Sequence, residues 1–325
     1  MKAIRISAFG GPEVLQLADV PDPKPGAGQV LVRIFAAGVN PVETYIRAGT
    51  YAKLPPLPCG IGLDGAGVVE DVGEGAGARF KPGERVWVAG SVSGTYAELA
   101  LAEAARVHPL PEGVSFEQGA ALGIPYSTAY RALFQRGGVK SGETVLVHGA
   151  TGGVGVAAVQ FAKAAGLRVL ATGGSEDGRT MLAKIGVDAV FDHSAADCTD
   201  AIREATGGKG VDVVIEMLAN VNLARDLGLL GRGGRVVVVG NRGSIEINPR
   251  DLMLRDADVR GVMVSNTPPA ELAECHAAIG AGLAGGSLRP IIGPAFALAD
   301  AADAHRAVMA PNHRGKVILR VGTAS

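Results

Sequence analysis

The sequence predicts an α/β fold: a parallel sheet with helices on both faces, preceded by a β-rich segment. Three observations carry this. Short apolar runs alternate with helical patterns from about residue 144. The first hundred residues hold only brief β-branched runs separated by turn signals. The chain has 325 residues, more than the ~150 that one core usually organises. An apolar share of 47% offers enough buried surface to offset the ordering entropy, which excludes disorder. A net charge of −1 and 4% aromatics provide neither a field for nucleic acid nor a base-stacking platform.

The β-rich segment is read from Ala3–Ile6, Val30–Phe35, Gly67–Val72 and Arg85–Val88. The turns between them are marked by Gly10-Gly11-Pro12, Pro21-Asp22-Pro23, Pro55-Pro56-Leu57-Pro58 and Lys81-Pro82-Gly83-Glu84. Such spacing suits a small barrel or sandwich. Phe116–Gln135 reads as helix, broken or kinked at Gly123 and Pro125. Strands are then expected at Thr144–His148, Arg168–Ala171, Ala189–Phe191, Val211–Ile215 and Arg235–Val239, with a sixth, Asp258–Val264, closing the sheet. Val154–Ala165 and Ser175–Ile185 read as helices, the second with Ser175 as its N-cap. Strands alternating with helices in this way form a parallel sheet. Glu271–Ala284 then reads as helix and Lys316–Leu319 as strand.

Three well-separated cysteines, Cys59, Cys198 and Cys275, make no disulfide framework and no four-cysteine zinc lobe, which points to a reducing cytoplasm. The first residues lack the plan of a signal peptide, and the longest uncharged apolar stretches fall short of the ~18 residues of a membrane span.

The sharpest local signal runs from Val145 through His148-Gly149-Ala150-Thr151-Gly152-Gly153-Val154-Gly155. A strand enters a glycine loop that opens a helix, the arrangement by which free N–H groups and a helix dipole receive a pyrophosphate. No Gly-Lys-Ser/Thr follows, which argues against a mononucleotide P-loop. The second strand ends in Thr172-Gly173-Gly174-Ser175 without the acid that binds the ribose of NAD. Ser175 and, one turn on, Arg179 can meet a 2′-phosphate, so NADPH is the expected cofactor, although Glu176 and Asp177 follow at once.

The chain resembles the zinc-free medium-chain dehydrogenase/reductases, specifically the zeta-crystallin-type NADPH:quinone oxidoreductases. The resemblance spans almost the whole chain and is carried by residues 38–47, Gly123-Ile124-Pro125-Tyr126, residues 128–133, the phosphate loop, residues 215–223 and residues 243–250. It implies a Rossmann domain over residues 121–260 and a GroES-like β-barrel catalytic domain built from residues 1–120 and the return segment 261–325, with the active site in the cleft. It further implies that Thr151, Gly152, Gly153 and Val154 hold the pyrophosphate, and that Gly174 and His193 lie along the adenosine. Asn222, Val239, Gly240, Asn241 and Arg242 border the cofactor. Tyr45, with Asn40 and Thr128, reaches the nicotinamide half, and Asn40 and Tyr45 are expected to hydrogen-bond the acceptor oxygen. On the residues alone, the plainer readings are favoured: His193 as a surface or satisfied side chain, Asn222 as a helix cap and Tyr45 as interdomain packing.

Where zinc-dependent members of the superfamily place Cys and His ligands, this chain has Gly38-Val39-Asn40-Pro41-Val42 and Gly62-Leu63-Asp64-Gly65, so no metal is expected. An electron-poor acceptor needs less Lewis-acid help, which favours a quinone. The alternatives are an α,β-unsaturated carbonyl as acceptor, or an NADPH-binding structural or RNA-associated protein. The family habit and an apolar edge at residues 261–264 imply a homodimer or homotetramer.

Overall fold

A computed structural model of the chain describes residues 1–311 and 313–322. The chain divides into two units, residues 1–124 with 276–325 and residues 125–275.

The first unit begins with β1 (Lys2–Ile6), β2 (Gln16–Asp19), β3 (Gln29–Gly38), β4 (Cys59–Gly60), β5 (Asp64–Val72), β6 (Arg85–Ala89), β7 (Leu99–Glu103) and β8 (Val107–Pro109). Helix α1 (Pro41–Ala48) follows β3, and α2 (Phe116–Ala120) follows β8. The expected helix over 116–135 is three pieces: α2, α3 (Gly123–Tyr130) and a wider π-type turn over Arg131–Arg136. The break falls where Ala121 and Leu122 join α2 to α3, and Pro125 sits in the first turn of α3, where its missing N–H costs nothing.

The second unit carries β9 (Thr144–Val147), α4 (Gly153–Ala164), β10 (Arg168–Thr172), α5 (Glu176–Lys184), β11 (Ala189–Phe191), α6 (Cys198–Ala205), β12 (Val211–Glu216), α7 (Ala219–Leu229), β13 (Leu230–Val238), α8 (Pro249–Met253) and β14 (Asp258–Gly261). Its six strands are parallel in the order β11-β10-β9-β12-β13-β14. That is the doubly wound Rossmann order. The last strand is shorter than expected: it ends at Gly261, and Val264–Asn266 is a 3-10 turn. Leu146, Leu170, Val214, Leu227 and Val236 form part of this unit's core.

After α9 (Pro269–Ala284) the chain completes the first unit with β15 (Ile292–Ala297), α10 (Ala301–Met309) and β16 (Lys316–Arg320). Strand β16 runs antiparallel to β3, so the last strand pairs with one of the first. The main sheet reads β15-β16-β3-β5-β6-β8, with β7 also on β3, while β2-β1-β4 forms a smaller sheet. Ile34, Val69, Val88, Ala304 and Leu319 pack in its core.

Candidate functional site

The carboxyl ends of β9, β10, β12 and β13 carry most of the expected cofactor residues. At the end of β9 the backbone turns through Gly149, whose φ of +56° is left-handed and suits only glycine. A Cβ on Gly155 would lie 2.5 Å from the Ala150 Cα and the Gly149 carbonyl oxygen, so helix and loop touch backbone to backbone only because that residue has no side chain. Gly152 is the N-cap of α4 and offers no side-chain cap. The first N–H groups of this twelve-residue helix are therefore left for a ligand, where its dipole favours an anion. Thr151, Gly152, Gly153 and Val154 are all half-buried there. This cradle fits the pyrophosphate of a dinucleotide.

At the end of β10, Gly174 and Ser175 are half-buried and His193 is exposed. The Ser175 hydroxyl accepts the Gly178 N–H at 3.2 Å and so caps α5 as expected. Arg179 does not stand free. It donates to Asp192 at 2.8 Å and to the Gly173 carbonyl at 3.2 Å, a pairing that sequence inspection missed.

Glu216, the last residue of β12, organises the next two turns. Its carboxylate accepts from the Leu218 N–H and from Asn222 Nδ2, and its carbonyl accepts the Val239 and Gly240 N–H groups. Asn222 also accepts from Arg225. Asn241 and Arg242 are exposed, and the Arg242 N–H is held by Asn220 Oδ1 at 2.9 Å. Beside Glu216 lie Asp226 and His148, both buried, with one donor atom from each of the three within 4.8 Å of the others. Burial pushes both carboxyls up to about 7, the Asp226 charge adding to the effect at Glu216. Burial holds His148 below its ordinary range. Thr128, on α3, is buried in the same unit.

Asn40 and Tyr45 belong to the first unit. Tyr45, on α1, is half-buried, and among the described residues its hydroxyl makes no hydrogen bond. Asn40 needs a correction. It is 2% exposed. Its amide N–H₂ donates to Glu43 at 3.2 Å and Asp64 at 2.9 Å, and its oxygen accepts from the Lys316 ammonium. Its backbone N–H donates to Glu43 at 2.7 Å, one half of a capping box for α1. Asn40 is thus spent on the fold and has no donor left for a substrate. Asp64 also accepts the Ile124 N–H at 2.9 Å and the Lys316 ammonium at 3.1 Å. Tyr96 donates to Glu43 at 2.6 Å, and burial raises the Glu43 carboxyl above its usual range.

This network also bears on zinc. The residues standing at the superfamily's ligand positions are an amide and a carboxylate that already share the Lys316 ammonium. They do not fit a metal ion.

Two family descriptions match the chain: "Zinc-binding dehydrogenase" over residues 153–279 and "Alcohol dehydrogenase GroES-like domain" over residues 26–112. The human quinone oxidoreductase is 50% identical over 321 residues, which is 98% of this chain and 97% of the relative. Among solved structures, the Escherichia coli quinone oxidoreductase complexed with NADPH superposes with a TM-score of 0.89. It is 32% identical, and the match covers 99% of this chain and 100% of that one. A structure described as an NAD-dependent alcohol dehydrogenase has a TM-score of 0.91 and 32% identity, over the same shares of the two chains.

Proposed function

The chain belongs to the quinone oxidoreductases of the GroES-like medium-chain dehydrogenase superfamily, and from that premise we propose that it is an NADPH-dependent quinone reductase. What carries the reading is likeness to a quinone oxidoreductase along the length of both chains, rather than over one domain. The alcohol dehydrogenase likeness speaks for the fold alone, because one fold hosts many chemistries.

When bound, NADPH supplies the reducing hydride. The chain's own residues do the placing. The N–H groups at the start of α4 bind the pyrophosphate, with Gly149 turning the loop and Gly155 seating the helix against it. Asn222 and the Val239–Arg242 turn border the cofactor at the carboxyl ends of the strands. No acid at the end of β10 repels a 2′-phosphate, and the Ser175 hydroxyl still has its own proton to donate there. Arg179 reaches that phosphate only by exchanging Asp192 for it. Tyr45 donates its hydroxyl to the acceptor oxygen as charge develops on it. Much of the rate gain is placement, since a quinone is electron-poor enough to accept reducing equivalents without a Lewis acid.

The three free cysteines suit the reducing cytoplasm, and no helix among the described residues is long and apolar enough to cross a membrane. The working form is a homodimer or homotetramer that covers the β14 edge.

The test is consumption of NADPH, followed by its near-ultraviolet absorbance, with 9,10-phenanthrenequinone and separately with a simple enone. Rapid consumption with the quinone is expected. Turnover of the enone alone overturns the quinone assignment, and binding without turnover across a broad acceptor panel overturns the enzyme.

A further inference from the structure

The phosphate loop and the Asn222 turn hang from one buried cluster that the reaction itself does not use. His148 ends the segment that enters the loop. Its Nε2 lies 3.0 Å from Asp226 Oδ1 and its Nδ1 lies 3.1 Å from Thr172 Oγ1. The Thr172 oxygen accepts the Gly149 N–H at 3.3 Å. One arrangement of protons satisfies all of these contacts. Gly149 donates to Thr172, the Thr172 hydroxyl donates to Nδ1, and Nε2–H donates to Asp226. On the other side, Glu216 Oε1 holds Leu218 and Asn222.

Two oxygens are left over. Glu216 Oε2 and Asp226 Oδ2 are buried and have no hydrogen-bond partner. Two neighbouring carboxylates cannot satisfy each other, but one proton between them satisfies both.

We propose that Glu216 and Asp226 share one proton and, with neutral His148, form a bracket that holds the phosphate loop and Asn222 in position for the dinucleotide, so that losing the proton weakens NADPH binding. They are positioning residues. The inference rests on the NADPH-binding reading above.

The cation that acts on the pair is Arg225, which lowers the Asp226 carboxyl against the larger effect of burial. His148 comes from the β9 end, the uncharged Thr172 from β10, Arg225 from α7, and the Cys198 thiol, pushed up by burial, from α6. Arg225 is exposed and bonded to Asn222. The ionised pair would place two negative charges beneath the diphosphate cradle. It would also drive Glu216 away from Asp226, and Leu218 and Asn222 with it. The raised titration of both carboxyls agrees with a proton held here at neutral pH.

The test is NADPH titration of the wild type, Glu216→Gln and Asp226→Asn from about pH 6.5, above the ~6 at which a 2′-phosphate titrates, to about pH 9. The wild-type Kd is expected to rise about tenfold across that range, and that of Glu216→Gln to stay within about twofold, because its amide donates to Asp226 at every pH. Asp226→Asn, with its own permanent donor, should behave likewise and serves if Glu216→Gln does not fold. Infrared spectra of the cofactor-free protein supply a second readout. In the difference between wild type and Glu216→Gln, which cancels the buried Glu43 carboxyl, a protonated-carboxyl stretch should be present at the low end and lost at the high end. Parallel Kd profiles in wild type and variants overturn the proposal while leaving NADPH binding intact, and a missing carboxyl band overturns it too. A titrating band without NADPH binding at any pH overturns the cofactor reading, and the bracket's role falls with it.

Discussion

Asn40 caps the helix that carries Tyr45, yet the two side chains have opposite fates. Asn40 is locked among Glu43, Asp64 and Lys316, while the Tyr45 hydroxyl is unengaged. Their substitutions should therefore separate. Asn40→Ala strips partners from a buried ammonium and two carboxylates, and should lower stability by about 1–3 kcal/mol, read as a fall in the urea midpoint. Tyr45→Phe should leave the midpoint unchanged and cut quinone turnover at least about tenfold, as loss of a donor to developing charge does. A stable Asn40→Ala protein with slow turnover would return Asn40 to the catalytic machinery. Only the capping half of the Asn40 role is local, in its spacing to Glu43; its partners Asp64 and Lys316 lie 24 and 276 residues away. Arg179, on α5, likewise has its partner Asp192 beyond the next strand, just after β11.

The elements divide along similar lines. Strands β9, β10, β12 and β13 were legible because strands buried on both faces need unbroken Val, Leu and Ile runs. The phosphate loop was legible because its glycines answer local demands, a left-handed φ at Gly149 and backbone contact at Gly155. Helix α10 and strands β7 and β15 were not legible, because their Ala-rich runs take shape from packing against distant partners. Helix α1 carries local signals instead, the Asn40–Glu43 capping box with Pro41 in the first turn. The ends of β9 and β12 and the helix α7 carry a pH consequence of their own. Glu216 and Asp226 have ordinary values of 4.5 and 3.8 and are raised to about 7 in the fold. The folded state thus holds their proton more tightly. Their contribution to stability is complete below about pH 4 and is lost as pH rises through about 7. The melting temperature should therefore fall by several degrees between about pH 5 and about pH 8, and Glu216→Gln should reduce that fall. Equal slopes in the two proteins would mean that the pair is not the source.

At the scale of the whole molecule, the six-stranded sheet has two edges that ask for different treatment. One is β11, three residues long and half-buried, too short to recruit a partner. The other is β14. It bears an Arg260–Asp258 ion pair at 2.5 Å, yet exposed apolar side chains stand on it and on the chain before and after it: Met253 at 74%, Leu254 at 68%, Val259 at 40% and Met263 at 49%. Charge at the strand gives it polarity for register, and the apolar flank supplies the area that association needs. A second copy presenting the same strand would satisfy both, because a two-fold axis brings a surface onto itself. Light scattering should accordingly give twice the 32.9 kDa chain mass, or four times it if a further face is used. Replacing Met253 and Leu254 with Asp should shift the species toward the single-chain mass, since four carboxylates would then face one another across the axis. A wild-type mass equal to one chain would show that the flank is left bare, and the oligomer would be withdrawn.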